Sequence, residues 1–176
     1  VDLLMADART GETRRIRQEV HDTWVELHND LHVLEKQSGF VWKSSFTGFP
    51  HLYICSAEGE LLTRLTEGDW CVEYLLGVDE EAGLVYFIGT KRSVLERHLY
   101  SARLDGSNAE DPRRITEREG THTIAFSDDC SIYIDKYSND DTPTQVSLHR
   151  ADGTRITWLE ENPLEEGHPY YPYPRS

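Results

Sequence analysis

The feature that most constrains this chain is a motif that returns every 47 to 49 residues. Each copy is an apolar strand, a glycine turn and a second strand carrying arginine. The copies run Leu3-Leu4-Met5 through Gly11 to Arg15-Ile16, and Leu52-Tyr53-Ile54 through Gly59 to Arg64-Leu65-Thr66. They continue with Leu99-Tyr100 through Gly106 to Arg114-Ile115-Thr116, and Leu148-His149-Arg150 through Gly153 to Arg155-Ile156-Thr157. A period of this length, sought before any local assignment, marks a repeat architecture.

Two more series keep the same phase. Phe40-Val41-Trp42, Val85-Tyr86-Phe87-Ile88 and Ile132-Tyr133-Ile134 are short β-rich runs ahead of the leucine strands. Ahead of those stand Trp24-Val25, Trp70-Cys71-Val72-Glu73-Tyr74 and Thr121-His122-Thr123-Ile124-Ala125-Phe126. Each unit therefore reads as four short strands joined by hairpins. Glu58-Gly59, Asp105-Gly106 and Asp152-Gly153 fall where hairpins need a residue that accepts positive φ. Helical repeats would show a 3.6-residue period, which these segments lack. Leucine-rich repeats are shorter, and a β-sandwich would not hold three series in phase.

Four antiparallel strands in about 48 residues make a propeller blade. The expected architecture is all-β: a β-propeller fragment of about three and a half four-stranded antiparallel blades. It comprises a half blade at 1–20, blades at 21–68, 69–118 and 119–160, and a Pro/Tyr-rich linker at 161–176. A closed ring has about four to eight blades, so further blades are expected upstream. The opening at Val1, inside a strand-like run, fits a piece cut from something longer. An open blade face would favour self-association.

With 18 Lys and Arg against 32 Asp and Glu, the net charge is −14. That excludes the basic footprint of a nucleic-acid binder and disfavours anionic membranes. No apolar run approaches the ~20 residues of a membrane span. The cysteines Cys55, Cys71 and Cys130 form no C-x-x-C pair and read as free buried thiols. No cofactor is implied. His28 and His32 are four apart, as a helical metal pair would be, but Asn29 stands where a general-base glutamate would be. No third ligand is evident, so no metal site is assigned. Trp42, Trp70 and Trp158 read as core packing, and His21, His51, His98, His122, His149 and His168 as structural residues.

Ser93-Val94-Leu95-Glu96-Arg97-His98-Leu99-Tyr100 resembles a blade segment in the propeller of the dipeptidyl peptidase IV family, in the prolyl oligopeptidase clan of serine peptidases. Leu65-Thr66-Glu67-Gly68-Asp69-Trp70, Gly77-Val78-Asp79-Glu80 with Leu84-Val85-Tyr86-Phe87, and Gly120-Thr121-His122 with Phe126-Ser127 resemble it in the same order. So do Asp141-Thr142-Pro143 and Ser147-Leu148-His149-Arg150-Ala151-Asp152-Gly153. The resemblance covers almost the whole chain and implies the last part of that propeller, just before an α/β-hydrolase domain. The implied parent releases X-Pro or X-Ala dipeptides from free amino termini through an acyl-enzyme. Relatives are often exported, which leans the compartment toward periplasmic or secreted, and a homodimeric parent is left open.

None of that chemistry is visible in these residues. A G-x-S-x-G elbow is missing. Glu80-Glu81, Glu160-Glu161 and Glu165-Glu166 read as solvated surface acids rather than the family's ammonium-binding pair. Glu96 and Arg97 read as fixing strand or blade register. The substrate-pocket candidates are His28, Asn29 and Asp30, with Trp24 as packing anchor, because the resemblance puts this loop beside the interdomain cavity. The match is by place rather than identity. The same run also reads as a polar loop bonded to its own backbone. The implied partners are a peptide substrate and a hydrolase domain. The competing function is a non-enzymatic propeller that binds proteins or ligands.

Overall fold

In the computed structural model, residues 1–20, 24–25, 27–163 and 166–168 are described, and they hold fourteen β-strands and no helix. The partial blade pairs β1 (Asp2–Ala6) with β2 (Thr13–Gln18). The first full blade is β3 (Leu31–Val33), β4 (Phe40–Ser44), β5 (His51–Cys55) and β6 (Leu61–Arg64). The second is β7 (Val72–Asp79), β8 (Leu84–Gly89), β9 (His98–Arg103) and β10 (Arg113–Arg114). The third is β11 (Thr121–Phe126), β12 (Ile132–Asn139), β13 (Thr142–Arg150) and β14 (Arg155–Glu160). Every sheet is a meander of sequential antiparallel neighbours. This is a stretch of β-propeller.

The hydrophobic core lies between the sheets. Phe40, Trp42 and Cys55 pack against Leu3 and Ile16 of the partial blade. Val41, Leu52, Leu65, Trp70, Phe87 and Tyr100 fill the seam between the first and second blades. Tyr86, Ile88, Leu99, Ile115, Ile124 and Tyr133 fill the seam between the second and third. A sheet covered on both faces buries every residue of its middle strands, so β4 and β5 are buried throughout. That is why these runs do not alternate in sequence. In β11 and much of β12 burial does alternate, because one face packs and the other meets solvent.

The hairpin glycines have a reason beyond the turn. Gly59 and Gly106 have φ of +87° and +73°. A Cβ at Gly59 would lie 2.0 Å from the Ile16 carbonyl oxygen, and one at Gly106 would lie 2.8 Å from that of Arg64. Each turn thus presses on the outermost strand of the preceding blade, where only glycine fits.

A second device recurs in the first and second full blades. Thr66 Oγ1 accepts the Leu52 N–H at 3.0 Å and donates to His51 Nδ1 at 3.0 Å. Thr116 Oγ1 does the same for Leu99 and His98, both at 3.0 Å. The Nε2–H groups donate to the Gly68 carbonyl at 2.9 Å and to Glu96 Oε2 at 2.8 Å. Both imidazoles are therefore held neutral, and burial lowers their pKa below the usual histidine value.

Some expectations from sequence need correction. Trp24-Val25 is not a strand: the first strand of its blade is β3, with Leu31 opposite Trp42. Trp158 is half-buried beneath the Arg155 guanidinium, 4.3 Å from the ring centroid, rather than in the core. Cys71 is only partly buried, while Cys55 and Cys130 are buried and all three are free. Burial pushes the Cys55 thiol up to about 11. Glu80 is not merely solvated: its carboxylate accepts the N–H groups of Glu35 at 2.6 Å and Lys36 at 2.9 Å, tying two blades. His21, Glu165 and linker residues 164–165 and 169–176 lie outside the described residues.

Candidate functional site

The loop before β3 and the starts of β5 and β7 enclose a cavity of about 700 Å³ that includes Leu27, His28, Asn29, Asp30, Pro50 and Cys71. Its floor is an ion pair that sequence reasoning missed. Lys43 Nζ pairs with Asp30 Oδ2, with side chains only 8% and 10% exposed. Lys43 also donates to the Glu73 carbonyl at 2.6 Å, and Asp30 Oδ1 accepts the Leu75 N–H at 2.8 Å. One carboxylate and one ammonium thus join β4 of the first blade to β7 of the second. A buried pair persists when its remaining lone pairs and protons find partners, and here both Asp30 oxygens are engaged and the ammonium has a second acceptor in the Glu73 carbonyl.

His28 lies tilted on Trp42, centroids 4.6 Å apart. Its Nδ1 accepts the Asp30 N–H at 3.2 Å. Burial first, and the Lys43 charge second, lower its pKa. Trp42 in turn donates its indole N–H to Glu19 Oε1 at 2.8 Å. Asn29 is exposed on the rim. Trp24 is 76% exposed, so it is not a packing anchor; Trp42 takes that part. Of the four candidates, then, the structure locks His28 and Asp30 together and leaves Trp24 and Asn29 exposed.

The one sequence signal for Lys43 was a charge inside the buried run Phe-Val-Trp-Lys-Ser, which demands a counter-ion. Further along, Glu73 Oε2 and Arg97 Nε meet at 2.7 Å. Arg97 N–H donates to the Gly120 carbonyl, and the His122 N–H to the Arg97 carbonyl, both at 3.0 Å. Arg97 therefore carries register from the second blade into the third, while Glu96 holds His98.

Nothing described assembles a nucleophile. Ser147 Oγ does donate to His149 Nε2 at 2.8 Å, but Nδ1 faces the Gly153 carbonyl at 3.0 Å, not an acid, and Ser147 is buried. No group of three or more acidic, histidine or cysteine side chains that could hold a metal occurs among the described residues. No described helix is long and apolar enough to cross a membrane.

The repeated four-stranded meanders define the chain as a segment of β-propeller. The profile of the dipeptidyl peptidase IV (DPP IV) N-terminal region matches residues 1–144, and the chain belongs to that family. Human dipeptidyl peptidase 8 is 33% identical over 168 residues, covering 77% of this chain and 18% of its own. A probable dipeptidyl-aminopeptidase B of Coccidioides posadasii (strain C735) is 32% identical over 176 residues, covering 93% of this chain and 19% of its own. The crystal structure of Porphyromonas gingivalis dipeptidyl peptidase 4 superposes with a TM-score of 0.81 at 27% identity. That match covers 92% of this chain and 22% of the solved one. The chain thus spans about a fifth of the relatives it matches.

Proposed function

We propose that these residues form one wall of the substrate chamber of a serine dipeptidyl peptidase that releases X-Pro or X-Ala dipeptides from peptide amino termini. The catalytic groups sit on a hydrolase domain outside this chain. The propeller screens substrates by size, and His28, Asn29 and Asp30 of the cavity, with Trp24 of the same loop, border the bound peptide. Asp30 is already neutralised by Lys43, so it is a positioning residue. Asn29 is the side chain offered to a peptide backbone.

The observation that carries this reading is where the most exposed apolar side chains lie. Val20, Trp24, Leu27, Val94 and Leu95, the described large apolar residues that are more than three-quarters exposed, all stand in loops that lead into a first strand or join a second strand to a third. In a meander those loops share one end of each sheet. Leu95 alone is 85% exposed. A concentration of bare apolar surface marks a contact face, and that face borders the cavity.

The test is release of chromophore from a Gly-Pro substrate by the longest natural chain carrying these residues, beside residues 1–176 alone. Activity in the longer chain and silence in the shorter supports the peptidase wall. Silence in both leaves a propeller that binds proteins or ligands without chemistry. Activity in residues 1–176 alone refutes the assignment of catalysis elsewhere.

A further inference from the structure

The seam between the second and third blades holds a separate cavity of about 460 Å³, lined in part by Arg114, His122, Tyr133, Asp135 and His149. Most polar groups along it are satisfied. Arg113 donates to the Asp152 carbonyl at 3.1 Å, and Arg118 to Gln145 Oε1 at 2.8 Å. His149 is held by Ser147 and Gly153. His122 Nε2–H donates to the Arg118 carbonyl at 2.9 Å, and its Nδ1 lies 2.8 Å from Asp135 Oδ2.

Two buried side-chain atoms are left over among the described residues, and both belong to residues that line this cavity: Arg114 Nη1 and Asp135 Oδ1. Asp135 is only 5% exposed. The two side chains do not pair with each other, so the gap between them exceeds a direct contact. Burial of an unpaired donor and an unpaired carboxylate oxygen is costly. A single-charge ligand would relieve only one of them. The Tyr133 hydroxyl stays protonated, because burial and the charges of Asp135 and Asp152 raise its pKa, so it adds no third charge.

We propose that this seam is a binding site for a small zwitterion, an α-amino acid or short peptide. The ligand carboxylate is taken by Arg114, and the ligand ammonium by Asp135 Oδ1. The arrangement is independent of the loop-end cavity and of any activity of the parent. By filling the joint, the ligand ties the second blade to the third.

The experiment uses the longest natural chain carrying these residues. Glycine, glycylglycine, acetate and methylammonium are titrated separately by calorimetry, with Tm followed in parallel. The expected result is that a zwitterion binds at least about tenfold more tightly than acetate or methylammonium and raises Tm as its concentration rises. Arg114→Gln and Asp135→Asn each weaken that binding by about tenfold or more, while Arg103→Gln, on an exposed side chain away from this cavity, leaves it unchanged. If Asp135→Asn does not fold, Arg114→Lys serves: it keeps the charge, loses the forked geometry and should still weaken binding. No heat and no Tm shift with millimolar zwitterion would overturn the proposal, leaving ordered water as the bridge. Acetate binding as well as glycine, or glycine binding indifferent to Arg114 and Asp135, would also overturn it.

Discussion

Two seams in this molecule solve one problem with opposite chemistry. At each, the residue leading into a blade packs on the neutral histidine that opens β5 or β9. Between the first and second blades that residue is Trp70, its ring edge-on to His51 at 5.0 Å and its indole N–H on the Glu67 carbonyl at 2.9 Å. Between the second and third it is His122, 5.3 Å from His98, with Nε2 on the Arg118 carbonyl. The strand opposite adapts to each. Gly89 leaves room for the indole, since a Cβ there would lie 3.1 Å from its ring. At the matching register Asp135 supplies a carboxylate to the imidazole. The position of the joint recurs between blades while its ring geometry and its filling change. The apolar filling packs tightly around the indole, with Trp70 stacked toward Phe87 and Tyr100. The polar filling leaves Arg114 Nη1 and Asp135 Oδ1 without partners.

The comparison breaks first at Trp70. Trp70→Ala removes a buried ring from the middle of the apolar seam and should cost about 3–5 kcal/mol in urea unfolding. A loss under about 1 kcal/mol would mean the seam is not held by that ring. Next comes a swap. His122→Trp alone leaves Asp135 buried without a partner and should cost about 3–5 kcal/mol. Adding Asp135→Gly reproduces the chemistry of the first seam, and most of the loss should return. If the double variant is no better than the single one, the two joints are not equivalent.

Acid gives a gentler probe. His51 and His98 have folded pKa values below the usual 6.5, with burial as the leading cause. Their stabilisation is complete above the unfolded value. It is lost as pH falls below 6.5 toward the folded values, because the unfolded chain binds protons that the folded one refuses. Tm should therefore drop between about pH 7 and pH 5, and His51→Gln and His98→Gln should each flatten that slope. An unchanged slope in both would contradict the neutral assignment. The smallest effect lies outside the seams: Glu81 meets Lys36 on the surface, and Glu81→Ala should stay within about 0.5 kcal/mol of the parent.

The blades were legible in the sequence because the hairpin glycines and the leading leucines recur in register. The equivalence of Trp70 and His122 was not, since nothing in the residue types relates an indole to an imidazole. Only their shared packing against His51 and His98 does so. The Lys43–Asp30 pair was hidden for another reason: its partners are on different elements and it also grips β7, so it exists only once two blades are side by side. The same crossing explains Trp24-Val25. Their apolar character looked like a strand, but β3 begins after the turn in which His28 and Asp30 are committed to Trp42 and Lys43. The loop-end candidates were located by family resemblance, and packing then separated the locked residues from the exposed ones.

The central claim is that this segment shapes a substrate chamber and holds no catalytic group. Steady-state kinetics of Asn29→Ala in the longest natural chain, on a Gly-Pro chromogenic substrate, tests it most directly. The account predicts KM raised about three- to tenfold with kcat within about twofold of the parent. A collapse of kcat with KM unchanged would contradict it, because that would put a group acting in the transition state on this chain.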